Sequence, residues 1–208
     1  MKWSDSGGVD FEPAPAGTHG AYCFQLIDLG TQYNEMYEIF KRQVFIGFEL
    51  PGELKTWKDE QGEHTAPYTV GKFYTMSLSE KANLRRDMES WRGKPFTEQE
   101  LEGFDPKNIL GTPAMVSVIH KQSQGKTKAN ISSVSKLMKG MNMPAMFHEK
   151  VYFSLDEFSQ ATFDSIPKGF QNIIRRSKEW QENGSQVTVP EESENSAPTE
   201  FIDDDKPF

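Results

Sequence analysis

Single strands of nucleic acid are held without sequence preference by two kinds of side chain acting together. Lys and Arg meet the phosphates, and aromatic rings carry the bases at about 1–3 kcal/mol per stack. The chain interleaves these residue types along segments that alternate apolar and polar positions. In FKRQVFIGFEL (40–50), Phe45 shares a parity with Lys41 and Gln43, opposite an apolar set of Phe40, Val44, Ile46, Phe48 and Leu50. In YTVGKFYTMSL (68–78), Phe73 falls with Thr69, Thr75 and Ser77, with Lys72 and Tyr74 beside it. In KTKANISSVSKLM (126–138), Lys126, Lys128, Asn130 and Ser132 line one parity. Trp57 sits in the polar stretch PGELKTWKDEQGEHTAP, which reads as a long loop able to fold over a bound strand. Lys41, Phe45, Trp57, Lys72, Phe73, Tyr74, Lys126, Lys128 and Asn130 are therefore the candidate nucleic-acid contacts. Two places are open to Phe45 and Phe73, a stacking surface or the underside of the C-terminal helices. Tyr74 lies on the apolar parity, where a core role competes with a contact role.

Other chemistries find less support. The four histidines, at 19, 64, 120 and 148, have no paired spacing, and the lone Cys23 cannot complete a zinc site or a disulfide. Gly125-Lys126-Thr127 ends like a phosphate-binding loop, but His120 stands where that loop needs a glycine, so a hairpin turn is expected. Asp203, Asp204 and Asp205 could meet a divalent cation only weakly from a floppy tail. With no nucleophile–base pair or carboxylate dyad in view, a binding protein with no cofactor and no metal is expected rather than an enzyme.

The net charge of -8 over 208 residues conceals a strong polarity. Residues 181–208 carry eight acids against Lys206, a net of -7, and leave the rest of the chain close to neutral. Within that remainder, 111–150 holds six lysines against Glu149, and 72–94 holds six bases against Glu80, Asp87 and Glu89. Solvated faces would account for such runs, but they also suit a polyanion. A single cysteine, no apolar run near the ~20 residues of a membrane span and no apolar leader at the N-terminus fit a cytoplasmic protein with no membrane contact.

These residues need elements to position them. Residues 1–16, with Gly7-Gly8 and Pro13-Ala14-Pro15, read as a flexible arm. Strands are expected at 21–30, with Tyr22, Phe24 and Leu26 on one face, and then at 40–50 and 68–78. A helix follows, opened by a Ser77/Glu80 capping box and closed by Gly93 and Pro95. Strands 111–124 and 126–138 make a hairpin about Gly125. Three strands, a helix and two strands is the order of an OB-like barrel, so the expected fold is mainly β with helices. After a loop at 139–150, C-terminal helices are expected within 152–180, started by a Ser154/Glu157 box and by Pro167. Their apolar stripe is Phe170, Ile173, Ile174 and Trp180. One domain, 17–180, is thus followed by a tail, 181–208, too polar to support a core.

That tail ends FIDDDKPF, and this tip resembles the end of bacterial single-stranded-DNA-binding proteins: an aromatic, an aspartate run, then Pro-Phe as the last two residues. The resemblance implies that Phe201, Asp203, Asp204, Asp205, Pro207 and Phe208 bind replication, recombination or repair proteins. A basic pocket would take the carboxylates and an apolar cleft the Phe208 ring. Lys206 departs from the pattern, adding a positive charge where that family has an apolar residue. The body resembles bacteriophage-encoded proteins associated with single-stranded DNA, over 16–180. The stretches GTHGAYCFQLIDLGTQ, GKFYTMSLSEKANLRRDMESWRGKPF and FDSIPKGFQNIIRRSKEW carry the likeness. It implies an OB-fold core that coats single-stranded DNA in phage replication or recombination. A decoy for host proteins and a strand-annealing mediator are the alternatives, and a homo-oligomer stays open.

Overall fold

The computed structural model describes residues 12–183, apart from Met36, Glu60 and Gln124. Strands β1 (Gly17–Asn34), β2 (Ile39–Asp59) and β3 (Gly62–Thr75) lead to α1 (Asn83–Arg92), α2 (Glu98–Glu102) and a 3-10 turn at Pro106–Ile109. Strands β4 (Pro113–Ser123), β5 (Lys126–Lys136) and β6 (Val151–Phe153) follow, then helices α3 (Gln160–Ser165), α4 (Lys168–Arg175) and α5 (Lys178–Asn183). The sheet runs β3-β2-β1-β4-β5, antiparallel throughout, with β6 added parallel to β1 at Gln25–Ile27. Its curl brings edge strands β3 and β5 into contact without a ladder between them, so it stops as a half-barrel. Helix α1, between the third and fourth strands as expected, packs against both edges. The fold is thus mainly β with short helices, consistent with an OB-like barrel. Among the described residues no helix is long and apolar enough to cross a membrane.

The core follows from alternation. Val44, Ile46, Phe48 and Leu50 of β2 point inward with Val70 and Tyr74 of β3, Val116 and Val118 of β4 and Val134 of β5. Met88 and Trp91 of α1 close this cluster, and the Trp91 indole donates to the Pro113 carbonyl at 2.8 Å. Cys23 is a wholly buried core residue, and burial pushes its thiol up to about 12, so it stays protonated. The β4–β5 hairpin turns at Gly125 as expected.

Several expectations on element boundaries are corrected. The strands are longer than read, and 51–67 is no loop: β2 and β3 continue as a two-stranded arm paired from Leu54–Pro67 to Asp59–Gly62, with Trp57 opposite His64. Polar alternation on both faces of a ribbon outside the core looks like a loop in sequence. In β1 the expected Tyr22/Phe24/Leu26 face fails because Phe24 is an extra residue at a bulge. Ala21 and Cys23 point inward before it, and Leu26 after it. A second irregularity precedes Gly30, whose φ of +70° suits glycine and whose missing Cβ leaves room for Ser177.

Helix α1 begins at Asn83, without a side-chain cap, and the Ser77 hydroxyl instead accepts from the Ser79 N–H in a turn. Its C-terminus is as expected, with Gly93 at φ +69° and its N–H on the Glu89 carbonyl. Ser154 likewise only accepts from the Asp156 N–H, and Ser159 caps α3. Phe40, placed on the core parity, is 62% exposed because the β1–β2 hairpin runs on beyond the barrel. Residues 12–16 of the expected flexible arm lie on the barrel: Ala14 is buried and its carbonyl accepts from His120 at 2.8 Å. Residues 1–11 lie outside the described residues, as do 184–208, which hold the expected acidic tail and its tip.

Candidate nucleic-acid interface

The outer face of the sheet starts from the odd positions of β2. Lys41, Gln43, Phe45, Gly47 and Glu49 share that face, and the register sets Gln43 against Thr75, Phe45 against Phe73, Gly47 against Gly71 and Glu49 against Thr69. The Phe45 ring lies across Gly71, where a Cβ would run into it, and its edge lies 3.2 Å from where a Cβ on Gly47 would stand. Phe45 and Phe73 rings are 5.0 Å apart, and Phe170 of α4 covers Phe45 at 4.5 Å and stands 6.2 Å from Phe73. Phe45 thus packs under the C-terminal helices, while Phe73 keeps 38% of its surface exposed at the rim of the same platform.

The C-terminal layer that supplies Phe170 is tied to the sheet by carboxylates. Asp28 accepts from Arg42 (Nη2 at 2.5 Å), from the Gly30 N–H (3.0 Å) and from the Leu155 N–H (3.1 Å). Arg42 reaches on to Asp156 at 2.8 Å, and its pKa is raised, first of all by the hydrogen bond with Asp28. Glu179 of α5 accepts from the Thr31 N–H (2.7 Å) and hydroxyl (2.5 Å). Gln32 donates to the Ile173 carbonyl.

The other candidate residues are scattered. Lys41 lies on the Phe45 face, with its ammonium 5.8 Å from the Tyr37 ring. Lys72 and Tyr74 are turned inward: both bind the Asp87 carboxylate of α1, at 3.0 and 2.9 Å, and are at most 9% exposed. Burial first, then the Asp87 charge, holds the Tyr74 pKa well above its usual value. In this arrangement neither offers its polar group to a phosphate. Trp57 stacks on His64 at 5.4 Å, with Lys55 5.6 Å from its ring, in a stretch, 51–67, whose acids Glu53, Asp59, Glu60 and Glu63 outnumber Lys55 and Lys58. Lys126, Lys128 and Asn130 do share the outer face of β5, opposite Ser123, Lys121 and Ile119. Lys126 and Lys128 make no ion pair among the described residues.

The structure also shows rings that pattern reading passed over. Tyr33 and Phe40 pair across the tip of the β1–β2 hairpin, 5.0 Å apart and 52% and 62% exposed. The sequence signal is a pair of aromatics on either side of 34–39, but strand parity assigns Phe40 to the core. Among the described residues no group of three His, Cys, Asp or Glu side chains could hold a metal ion. No family model matches the chain, and no curated protein matches it.

Proposed function

We propose that this protein binds single-stranded DNA without strong sequence preference, as a bacteriophage-type coating protein of the host cytoplasm, and is not an enzyme. The observation that carries the reading is the outer face of β2–β3. There a half-exposed Phe73 rests on a preformed Phe45–Phe170 platform, in line with Lys41. By analogy with OB folds, this is the face used for oligonucleotides, together with the hairpin loops beside it. The Lys126–Lys128–Asn130 row adds phosphate contacts. The tip formed by Phe201, Asp203, Asp204, Asp205, Pro207 and Phe208 recruits replication, recombination or repair proteins, a role resting on its sequence alone.

The test is an anisotropy titration of labelled oligo(dT) and of duplex across salt. Binding to the single strand should weaken with salt at a log–log slope of about -0.7 per phosphate contacted. Phe73→Ala should cost about 1–3 kcal/mol. No affinity for the single strand at low salt, or equal affinity for duplex, would falsify the reading. Removing 201–208 should leave DNA binding intact and abolish partner capture.

A further inference from the structure

The segment 137–150, between β5 and β6, crosses the outer face of the sheet. Met143 packs over Gly20 of β1, its sulfur where a Cβ would stand, and the His148 ring lies 5.0 Å from that of Phe24. At its far end the segment meets Glu49, a fully buried carboxylate in the middle of β2. A buried carboxylate is costly unless it is hydrogen-bonded. Glu49 accepts from the Phe147 N–H (2.7 Å), the His148 N–H (2.8 Å) and His148 Nδ1 (2.7 Å). The backbone of Phe147 is thereby clamped, yet the residue is 62% exposed, its ring set edge-to-face with that of His148 at a centroid distance of 5.2 Å. A pinned backbone with an outward ring is a poor use of apolar surface for folding and a good one for stacking.

The surroundings select the occupant. Lys136, Lys139 and Lys150 flank or lie in the segment and make no ion pair among the described residues, while Glu149 is the one acid between 126 and 150. Glu49 stands opposite Thr69, four residues along β2 from the Phe45–Phe73 rung, so the anchor lies about 13 Å from that platform. Between them is the Gly47–Gly71 rung, which has no side chains of its own.

Resting on the single-stranded-DNA reading, we propose that Phe147 is a second base-stacking residue and that Glu49 is the positioning residue that holds it. The bound strand then runs from the Phe73 platform past the glycine rung to Phe147, with the lysines of the crossing segment on its phosphates.

The experiment compares labelled oligo(dT) with an abasic strand of equal length, which keeps the phosphates and removes the bases. Phe147→Ala should weaken oligo(dT) binding about 5- to 150-fold and leave abasic binding unchanged. Phe147→Trp should restore affinity. The paired substitution of Lys126 and Lys128 by Ala should weaken both strands. Glu49→Gln should reproduce the base-dependent loss and speed amide exchange at 147 and 148, a selectivity that general destabilisation would not give. Should that variant not fold, exchange at these two amides in the parent protein reads the clamp directly and is expected to be as slow as in β2. If Phe147→Ala binds both strands like the parent, or loses both equally, the proposal is overturned while single-stranded-DNA binding stands. If the parent binds neither strand at low salt, both readings fall.

Discussion

Two apolar clusters share one sheet and are held in different ways. The inner one, centred on Phe48, Leu50, Val116 and Val134, is enclosed by the curled strands and α1. Lys72, Tyr74 and Asp87 bring a buried charge network into it from α1. The outer one, Ile27, Leu29, Phe153, Phe163, Ile166 and Ile174, is a thin layer under α3–α5, fastened at its margins by Asp28 and Glu179. Apolar enclosure responds less to pH and salt than charge pairing does. A layer docked through carboxylates can loosen without the barrel unfolding, and that layer carries Phe170, the support of the stacking platform.

The largest expected effect separates the two clusters directly. Phe48 and Phe163 are the same residue type at 1% exposure each, one in each cluster. Phe48→Ala should lower global stability by about 3–5 kcal/mol, read from the urea midpoint and from the slowest-exchanging amides of β1, β2 and β4. Phe163→Ala opens a similar cavity but should speed exchange only in β6 and α3–α5. If both substitutions speed the slowest barrel amides equally, the molecule is one cooperative unit and the distinction fails.

The same contrast explains what the sequence disclosed. Alternation at 44–50 and 68–74 located the inner face and the half-barrel, because one face of a strand pair must be apolar when the other is wet. The helix between β3 and β4 was legible from its Gly93 end, though not from the expected cap at its start, and the β4–β5 hairpin from the Gly125 turn. Contacts across about 100 residues or more leave no local trace: nothing near Glu49 announces Phe147 and His148, and nothing near Thr31 announces Glu179. For that reason the candidate site was legible only in part. The parity of Lys41, Phe45 and Phe73 was readable, but Lys72 could not be turned inward until α1 placed Asp87 beside it.

An intermediate effect tests the fastening itself. Asp28→Ala removes the acceptor of Arg42, Gly30 and Leu155 together. Arg42 is part-exposed and keeps Asp156, so the charge left behind is not stranded. The cost should be about 2 kcal/mol rather than the larger penalty of an orphaned buried ion. It should fall on the C-terminal layer, seen as a lower urea midpoint for Trp180 fluorescence than for barrel exchange. Coincident transitions would mean that Asp28 belongs to the barrel's own stability.

The smallest effect concerns acid. Burial is the largest single influence on the Glu179 pKa and raises it, but the two hydrogen bonds from Thr31, the Glu179 N–H and the Arg42 charge together hold the folded value below the usual one. A carboxylate with a depressed folded pKa contributes stability that is present above its unfolded value of about 4.3 and is lost as pH falls through the folded one. The docking of α5 should therefore weaken below the ordinary glutamate range. The side chain is only partly buried, so the contribution is about 1 kcal/mol. Glu179→Gln keeps an acceptor for Thr31 and removes the titration. Its acid profile of Trp180 fluorescence should be flatter than the parent's, while the other carboxylates contribute equally to both. Superimposable acid profiles of the parent and the Glu179→Gln protein would mean that Glu179 does not set the acid response of the layer that carries Phe170 over Phe45.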